Sequence, residues 1–216
     1  MDTDRPASGE ELNAGPASAP RLAATVILLR GGGERLELLL VKRNPEARFM
    51  GGAWVFPGGA VNRAEGEGEA ALRAAAVREV AEEAGVSLPD ATALVPFSRW
   101  ITPAEVKIRF DTWFFLAPVP ASTEPRVDGS EIVDWRWCTP VHALAAHRQG
   151  ELFLVFPTIK HLEQLSGFAS TQALLERSWP GGRPGPARLG HLRGDGARRA
   201  PRRAGIQAAL RSSADG

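Results

Sequence analysis

Cysteine and histidine are scarce in this sequence. The 216 residues include one cysteine, Cys138, and four scattered histidines. A single cysteine excludes an internal disulfide and a multi-cysteine zinc site, and four scattered histidines argue against a histidine-rich metal centre. Cys138 is expected to be a small buried hydrophobic side chain.

The sequence also lacks a long apolar run. No stretch approaches the roughly 18–20 apolar residues that a membrane span needs. Residues 1–16 are acidic and polar, unlike a secretory signal. The composition, with 44% hydrophobic and 24% charged residues, is that of an ordinary globular protein. We therefore expect a cytoplasmic protein without a membrane partner.

Lysine is rare, and the formal net charge is close to zero. Three lysines and 23 arginines stand against 25 acidic residues, which gives a net charge of +1. Residues 181–216 carry eight arginines and two aspartates, a net charge of +6, so that residues 1–180 sum to −5. The near-neutral total argues against a dedicated nucleic-acid binder, and that argument is weaker for the basic C-terminal segment.

The pattern of apolar and turn-forming residues predicts one α+β domain between two tails. Residues 1–20 and 180–216 are predicted to be poorly ordered, and residues 21–179 to form the domain. Strands are expected at 21–30 and 36–42, paired as a hairpin, and then at 54–56, 92–101, 107–116 and 132–138. Helices are expected at 69–84, 140–149, 157–166 and 170–178. Pro57, Gly58 and Gly59 are expected to stop the strand at 54–56.

The helix predicted at 69–84 carries three carboxylates on one face. Glu79, Glu82 and Glu83 stand at positions i, i+3 and i+4, where like charges repel. Mg²⁺ or Mn²⁺, which prefers carboxylate oxygens, would offset that repulsion. A solvated acidic surface is the alternative, but the preceding Gly-Gly turn and Gly85 at the helix end favour a metal site. The opposite stripe is apolar and is expected to face the core: Leu72, Ala76, Val80 and Ala84.

The segment around this helix resembles the signature of Nudix hydrolases. That signature runs glycine, five residues, glutamate, seven residues, then Arg-Glu-hydrophobic-x-Glu-Glu-x-Gly-hydrophobic. Residues 78–86, REVAEEAGV, match it at every fixed position, and Gly59 followed by five residues and Glu65 fits its first half. Twelve residues rather than seven separate Glu65 from Arg78. Glu65, Glu67 and Glu69 are therefore all candidates for the first glutamate position of the signature.

The resemblance covers residues 21–168 and implies a fold, a metal and a reaction. The fold is an α/β/α sandwich around a mixed sheet, with a catalytic loop–helix motif. The reaction is hydrolysis of a pyrophosphate bond in a nucleoside diphosphate linked to another group. Glu79, Glu82 and Glu83 would bind Mg²⁺ or Mn²⁺, and Arg78 could orient one of them.

The resemblance leaves the general base and the oligomeric state open. The base is either a glutamate of the helix or an acidic residue of a later loop, where Glu131 is preferred to Glu105. Either loop residue is otherwise an ordinary surface carboxylate. Nudix proteins often dimerise, so a homodimer is a further expectation, although no residue marks its interface.

A second resemblance concerns the substrate. LLVKR at 39–43 and GAWVFPGG at 52–59 are similar to the coenzyme A-recognising stretch upstream of some Nudix boxes. The interrupted box is similar to the branch that includes peroxisomal coenzyme A diphosphatases. The implied substrate is coenzyme A or acyl-CoA, with Arg43, Arg48, Gly58 and Gly59 as substrate contacts. Ordinary loop arginines are the alternative for Arg43 and Arg48.

Other interpretations of the sequence remain open. ADP-ribose, NADH and nucleoside triphosphates are alternative substrates, and a non-catalytic nucleotide-sensing Nudix module is an alternative function. A role in RNA cap removal would use the arginine-rich C-terminal segment. Trp54, Trp100 and Trp113 could stack on an adenine, but strand tryptophans more often belong to the core. Asp111 is expected to be buried and to hold a loop.

Overall fold

Strands and helices follow one another in the order that the sequence predicts. The computed structural model describes residues 15–32 and 35–178. Its strands are β1 (Arg21–Arg30), β2 (Glu37–Arg43), β3 (Trp54–Val55), β4 (Gly58–Ala60), β5 (Val95–Ile101), β6 (Phe110–Pro118) and β7 (Ile132–Cys138). Its α-helices are α1 (Gly68–Ala84), α2 (Pro140–Arg148), α3 (Phe156–Leu165) and α4 (Thr171–Ser178). Residues 1–14 of the tail predicted at 1–20, and the whole tail predicted at 180–216, lie outside the described residues.

Strand β1 is the hub of a mixed sheet. It pairs in parallel with β6 along its whole length and antiparallel with two strands on its other edge. Residues 23–25 pair with β4, whereas Leu29 and Arg30 pair with β2. Beyond this split, β2 continues to β3 and β7, and β6 continues to β5. The predicted hairpin of β1 and β2 is confirmed at its closed end.

Helices cover the sheet on both faces, which gives the predicted α/β/α sandwich. Alternate residues of β1 point to opposite faces, as strand geometry requires. Ala24, Val26 and Leu28 pack with the apolar stripe of α1, and Ile27 and Leu29 pack with α2, α3 and α4. All four residues of the predicted α1 stripe are buried. None of the helices within the described ranges is long and apolar enough to cross a membrane.

The strand predicted at 54–56 ends before Pro57, as expected, but Gly58 and Gly59 do more than follow its end. They form β4 themselves and pair with Ala24 and Thr25 of β1. Glycine is needed here for space, since a Cβ on Gly58 would overlap the Ala24 carbonyl oxygen and Thr25. Gly85 ends α1 as predicted, in the left-handed region at φ 62°.

Two single-residue expectations have different outcomes. Cys138 is buried, as predicted, and burial raises the pKa of its thiol to about 12. Asp111 is also buried, but it holds a neighbouring strand rather than a loop, because its carboxylate accepts two hydrogen bonds from Arg99 of β5 at 2.7 and 2.5 Å. Ser18, in the predicted N-terminal tail, accepts a 2.6 Å hydrogen bond from Arg109 through its carbonyl oxygen.

A buried histidine joins α3 to β5. His161 is 1% exposed, and its Nε2 lies 2.6 Å from the hydroxyl of Ser98, which is also buried. Its Nδ1 lies 2.7 Å from the carbonyl oxygen of Pro157, so Nδ1 carries the proton of the neutral ring and Nε2 accepts from Ser98. The ring of Phe114 lies at 4.1 Å between centroids. Burial lowers the pKa of His161 to about 4.

This geometry predicts that stability decreases as the pH falls from about 6.5 towards 4. In that range the unfolded chain binds a proton near the ordinary histidine pKa, whereas the folded protein does not. The free energy of unfolding should fall by at most about 1.4 kcal/mol per pH unit from this residue. Urea unfolding of the wild type and His161→Gln at several pH values measures the effect. His142→Gln, at an exposed histidine, is the control that keeps the wild-type slope, and parallel curves for the wild type and His161→Gln would contradict the prediction.

Candidate active site

Two carboxylates of α1 lie directly against β4. Glu83 is 5% exposed, and its Oε2 accepts a 2.8 Å hydrogen bond from the backbone N–H of Gly58. Glu79 packs against Gly59 so closely that a Cβ on this glycine would overlap its carboxylate. The two glycines therefore let the backbone of β4 reach carboxylates that are partly withdrawn from water.

Burial has a clear electrostatic consequence for these two residues. It raises the pKa of Glu83 to about 8, even though the Gly58 hydrogen bond works in the opposite direction, and the charge of Glu79 adds to the rise. Burial also raises the pKa of Glu79, against the effect of Arg78. Both carboxylates thus lack enough compensating positive charge in their surroundings.

Arg78 gathers the remaining glutamates of the motif. Its guanidinium donates to Glu65 at 2.8 Å, to Glu79 at 2.7 Å and to Glu82 at 2.8 Å. Its fourth contact is the Ala60 carbonyl oxygen of β4, at 3.1 Å. Glu82 is 59% exposed on its side chain, so it lies at the rim of the site rather than beside Glu83.

Of the three glutamates that compete for the first box position, Glu65 is the one that contacts Arg78. It also accepts a 2.6 Å hydrogen bond from the backbone N–H of Asn62. Burial by itself would raise the pKa of Glu65, but the hydrogen bonds from Arg78 and Asn62 outweigh it, and the pKa is lowered. Glu69 instead pairs with Arg73 one turn later, at 2.7 Å.

The predicted general base, Glu131, lies next to the predicted phosphate contact, Arg43. Nη2 of Arg43 is 3.1 Å from Oε1 of Glu131, and Nη1 is 3.9 Å from Oε1 of Glu83. Glu131 also acts electrostatically on Glu79 and Glu83. Arg48 is exposed in the loop between β2 and β3, and Glu105 is exposed in the loop between β5 and β6.

The loop that carries Glu131 is fixed by an aspartate. Asp128 accepts hydrogen bonds from the Ser130 hydroxyl and from the backbone N–H groups of residues 130–132, which lower its pKa to about 2. Asn44 at the end of β2 donates to the carbonyl oxygens of Ser130 and Glu131. Glu131 is therefore held beside β2 through its backbone, while its side chain is 60% exposed.

The three tryptophans considered for adenine stacking contribute to the hydrophobic core. Trp54 is buried among the residues that face α3. Trp100 packs against the same cluster, with the ring of Phe156 at 5.9 Å, and Trp113 packs against the cluster that faces α1. The core interpretation explains all three positions.

The donor set at β4 suits a hard divalent cation. Glu79 and Glu83 offer carboxylate oxygens, which are the ligands that Mg²⁺ and Mn²⁺ prefer, and burial raises the pKa of both, an effect that a nearby cation would oppose. Within the described residues, no group of three or more His, Cys, Asp or Glu side chains is arranged to hold a metal ion. Mg²⁺ needs fewer protein ligands, because it keeps several waters and also binds substrate phosphates.

Two sets of these contacts were not predicted from the sequence, namely the pair of Glu65 with Arg78 and the ion pairs of Arg43. The choice of Glu65 could have been made from a capping-box spacing, since Asn62 stands three residues before it, whereas Ala64 and Gly66 stand before Glu67 and Glu69. The ion pairs of Arg43 carry no comparable signal, because they depend on the register that places Arg43 opposite Ile132.

A mixed sheet between helices, with a Gly-Gly strand held against an REVAEEAG helix, defines the Nudix class of proteins. The NUDIX domain family model matches residues 19–155 of the chain. The chain therefore belongs to the Nudix family. Nudix hydrolases generally use divalent metals such as Mg²⁺ or Mn²⁺ and act on small nucleotide-type substrates.

Two curated proteins and one crystal structure show what the chain is similar to within this family. A Caenorhabditis elegans protein named "Putative nudix hydrolase 7" is 30% identical over 69% of this chain and 61% of its own length. The acyl-coenzyme A diphosphatase NUDT19 of Xenopus laevis is 32% identical over 40% of this chain and 24% of its own length. The crystal structure of a Nudix hydrolase from Alicyclobacillus acidocaldarius, 27% identical, superposes with a TM-score of 0.64 over 72% of this chain and 95% of that one. The chain thus spans less than two thirds of either curated relative.

The contacts of Arg78 predict that replacing Glu65 lowers the free energy of unfolding more than replacing Glu67 or Glu69 does. Glu65→Gln removes the charge that pairs with Arg78, and we expect a loss of about 1–3 kcal/mol in the free energy of unfolding. Glu69→Gln removes an exposed i,i+4 pair and should cost no more than about 0.5 kcal/mol. Urea unfolding of both variants and of Glu67→Gln measures the difference. Equal losses in Glu65→Gln and Glu69→Gln would show that Arg78 does not depend on Glu65.

Proposed function

We propose that this protein is a metal-dependent hydrolase of a pyrophosphate bond in a nucleoside diphosphate linked to another group. The observation that carries the proposal is a pair of carboxylates, the buried Glu83 and the partly buried Glu79, held against the Gly58–Gly59 backbone. Such a pair is costly unless a cation neutralises it, and a pyrophosphate is an anion that could not approach it otherwise. A bound cation would neutralise the carboxylates and, at the same time, remove the repulsion that keeps the pyrophosphate away.

Glu79 and Glu83 are the residues that would hold the cation, with Glu82 joining them from the rim. When bound, Mg²⁺ or Mn²⁺ supplies charge neutralisation for the phosphate oxygens and a lowered pKa for a bound water. Arg78 keeps Glu79 and Glu82 in place through its two hydrogen bonds. The Gly58 N–H fixes one oxygen of Glu83, so that the other, Oε1, is directed to the site.

Glu131 is the proposed general base. It comes from a loop rather than from α1, it lies within electrostatic range of both buried glutamates, and most of its side chain is in solvent. A carboxylate in that position can accept the proton of an attacking water and pass it to bulk solvent. Glu105 would have to reach the same water from the loop between β5 and β6.

Coenzyme A or an acyl-CoA is the proposed substrate. Its support is the partial similarity to acyl-coenzyme A diphosphatases and the upstream stretch that carries Arg43 and Arg48. Both guanidiniums can contact phosphate oxygens, and Arg43 lies beside the carboxylates where the pyrophosphate would bind. ADP-ribose, NADH and nucleoside triphosphates are the alternatives within the same reaction class.

A non-catalytic nucleotide-sensing module is the second candidate. The carboxylates at β4 argue against it, since a module that only binds a nucleotide has no use for two mutually repelling glutamates that are partly or fully withdrawn from water. Hydrolysis by the purified chain separates the two functions.

A substrate panel tests the proposed activity. Coenzyme A, acetyl-CoA, ADP-ribose, NADH and nucleoside triphosphates are incubated with Mg²⁺ or Mn²⁺, and products are identified by mass. We expect coenzyme A or its ester to be cleaved at the pyrophosphate. Glu83→Gln should lower kcat by about 10²–10³-fold, as loss of a major electrostatic group does. Glu163→Gln, at an exposed glutamate of α3 paired with Lys160, is the matched control. If the wild type leaves the whole panel intact while binding ADP-ribose or NADH, the sensing module is favoured.

The role of Glu131 is tested against Glu105. Glu131→Gln should lower kcat by about 10²–10⁴-fold with little change in KM, because a proton acceptor acts in the transition state. Glu105→Gln should keep the wild-type kcat. A normal Glu131→Gln with an impaired Glu105→Gln would reverse the assignment. Full activity in both variants would place the base on α1.

A further inference from the structure

Arg43 occupies the position from which a cation would approach Glu83. The hydrogen bond from Gly58 takes Oε2 of Glu83, so Oε1 is the oxygen left for a positively charged partner. Arg43 Nη1 lies 3.9 Å from that oxygen, and Nη2 lies 3.1 Å from Oε1 of Glu131. One guanidinium thus bridges a buried carboxylate of α1 and an exposed one that precedes β7.

The Arg43 side chain is enclosed rather than extended into solvent. Its side chain is 19% exposed, and its Nε is buried with no hydrogen-bond partner among the described residues. A guanidinium has five N–H donors, and this one donates a hydrogen bond to Glu131 but makes only a longer ion pair with Glu83, at 3.9 Å, so it is only partly satisfied. An anionic ligand that offers further oxygens would therefore improve the hydrogen bonding of Arg43.

From these contacts we infer that Arg43 is an internal counter-cation that competes with the divalent metal for Glu83. The inference rests on the proposed function, which places the metal at Glu79 and Glu83. A guanidinium and a divalent cation repel each other and seek the same carboxylate oxygens. When the metal binds, Arg43 leaves Glu83 and turns to the substrate phosphate.

This competition couples the two ligands of the site. A phosphate group that engages Arg43 withdraws it from Glu83, which frees Oε1 for the metal. By thermodynamic linkage, the metal must then raise the affinity for the phosphate group by the same factor. Arg43 is in this sense a positioning residue for metal loading, as well as the phosphate contact already proposed.

The test is titration calorimetry with Mn²⁺ in 0.5 M NaCl. High salt screens the general charge effect of removing an arginine, whereas competition for the oxygen of a buried carboxylate 3.9 Å away is screened much less. Arg43→Gln should bind Mn²⁺ about 5–50-fold more tightly than the wild type when no phosphate ligand is present. Arg35→Gln, at an exposed arginine that precedes β2, is the matched control and should bind Mn²⁺ as the wild type does.

A second titration tests the coupling, with methylenediphosphonate as a probe that is not hydrolysed. In the wild type and Arg35→Gln, saturating probe should tighten Mn²⁺ binding more than it does in Arg43→Gln. Equal or weaker Mn²⁺ binding by Arg43→Gln without the probe would overturn the inference, and so would an equal effect of the probe in all three proteins. Absence of Mn²⁺ binding in the wild type, with or without the probe, would instead remove the proposed function.

Discussion

The close approach of β4 to α1 is the constraint on which the site depends. Gly58 has β1 on one side, where a Cβ would overlap Ala24 and Thr25, and Gly59 has the Glu79 carboxylate on the other. No larger residue fits between the sheet and the helix. As a result, Glu83 reaches a backbone N–H of the sheet while its surroundings exclude water, and its charged form is disfavoured.

The two arginines of the site, Arg78 and Arg43, pair with its carboxylates from different elements of the fold. Arg78 lies on α1 together with Glu79 and Glu82, and it also holds Glu65, which precedes the helix. Arg43 comes from the sheet and reaches Glu83 and Glu131 from the opposite side. Five carboxylates against two guanidiniums leave a net charge of −3 when all are ionised. A divalent cation would remove most of that excess, which is why the charge balance and the family membership point to the same chemistry.

The sequence was sufficient for the fold and for the helical motif, but not for contacts made across the sheet. The four-residue stripe of α1 and the glycine at its end are local signals, and both appear in the structure. The role of Gly58 and Gly59 as a strand was not predictable from turn propensity, because it follows from the space left beside Ala24. Arg43 likewise meets Glu131 only through the pairing of β2 with β7. Such contacts depend on register, which a propensity does not encode.

The residues between Glu65 and Arg78 include the first turns of α1. The helix begins at Gly68, so about 15 Å of helix rise precede Arg78. Long helical side chains point back towards the N-terminus, and Arg78 therefore still reaches Glu65.

The first turns of α1 are anchored by Arg73. The Arg73 side chain is 13% exposed, and its guanidinium donates at 2.8 Å to the carbonyl oxygens of both Ala91 and Leu94, just before β5. The guanidinium also lies over the ring of Phe115 at 5.4 Å. The inserted residues between Glu65 and Arg78 lie outside residues 79–83, whose spacing along α1 is set by helix geometry. The motif can thus be interrupted there without changing the relative positions of the carboxylates that face β4.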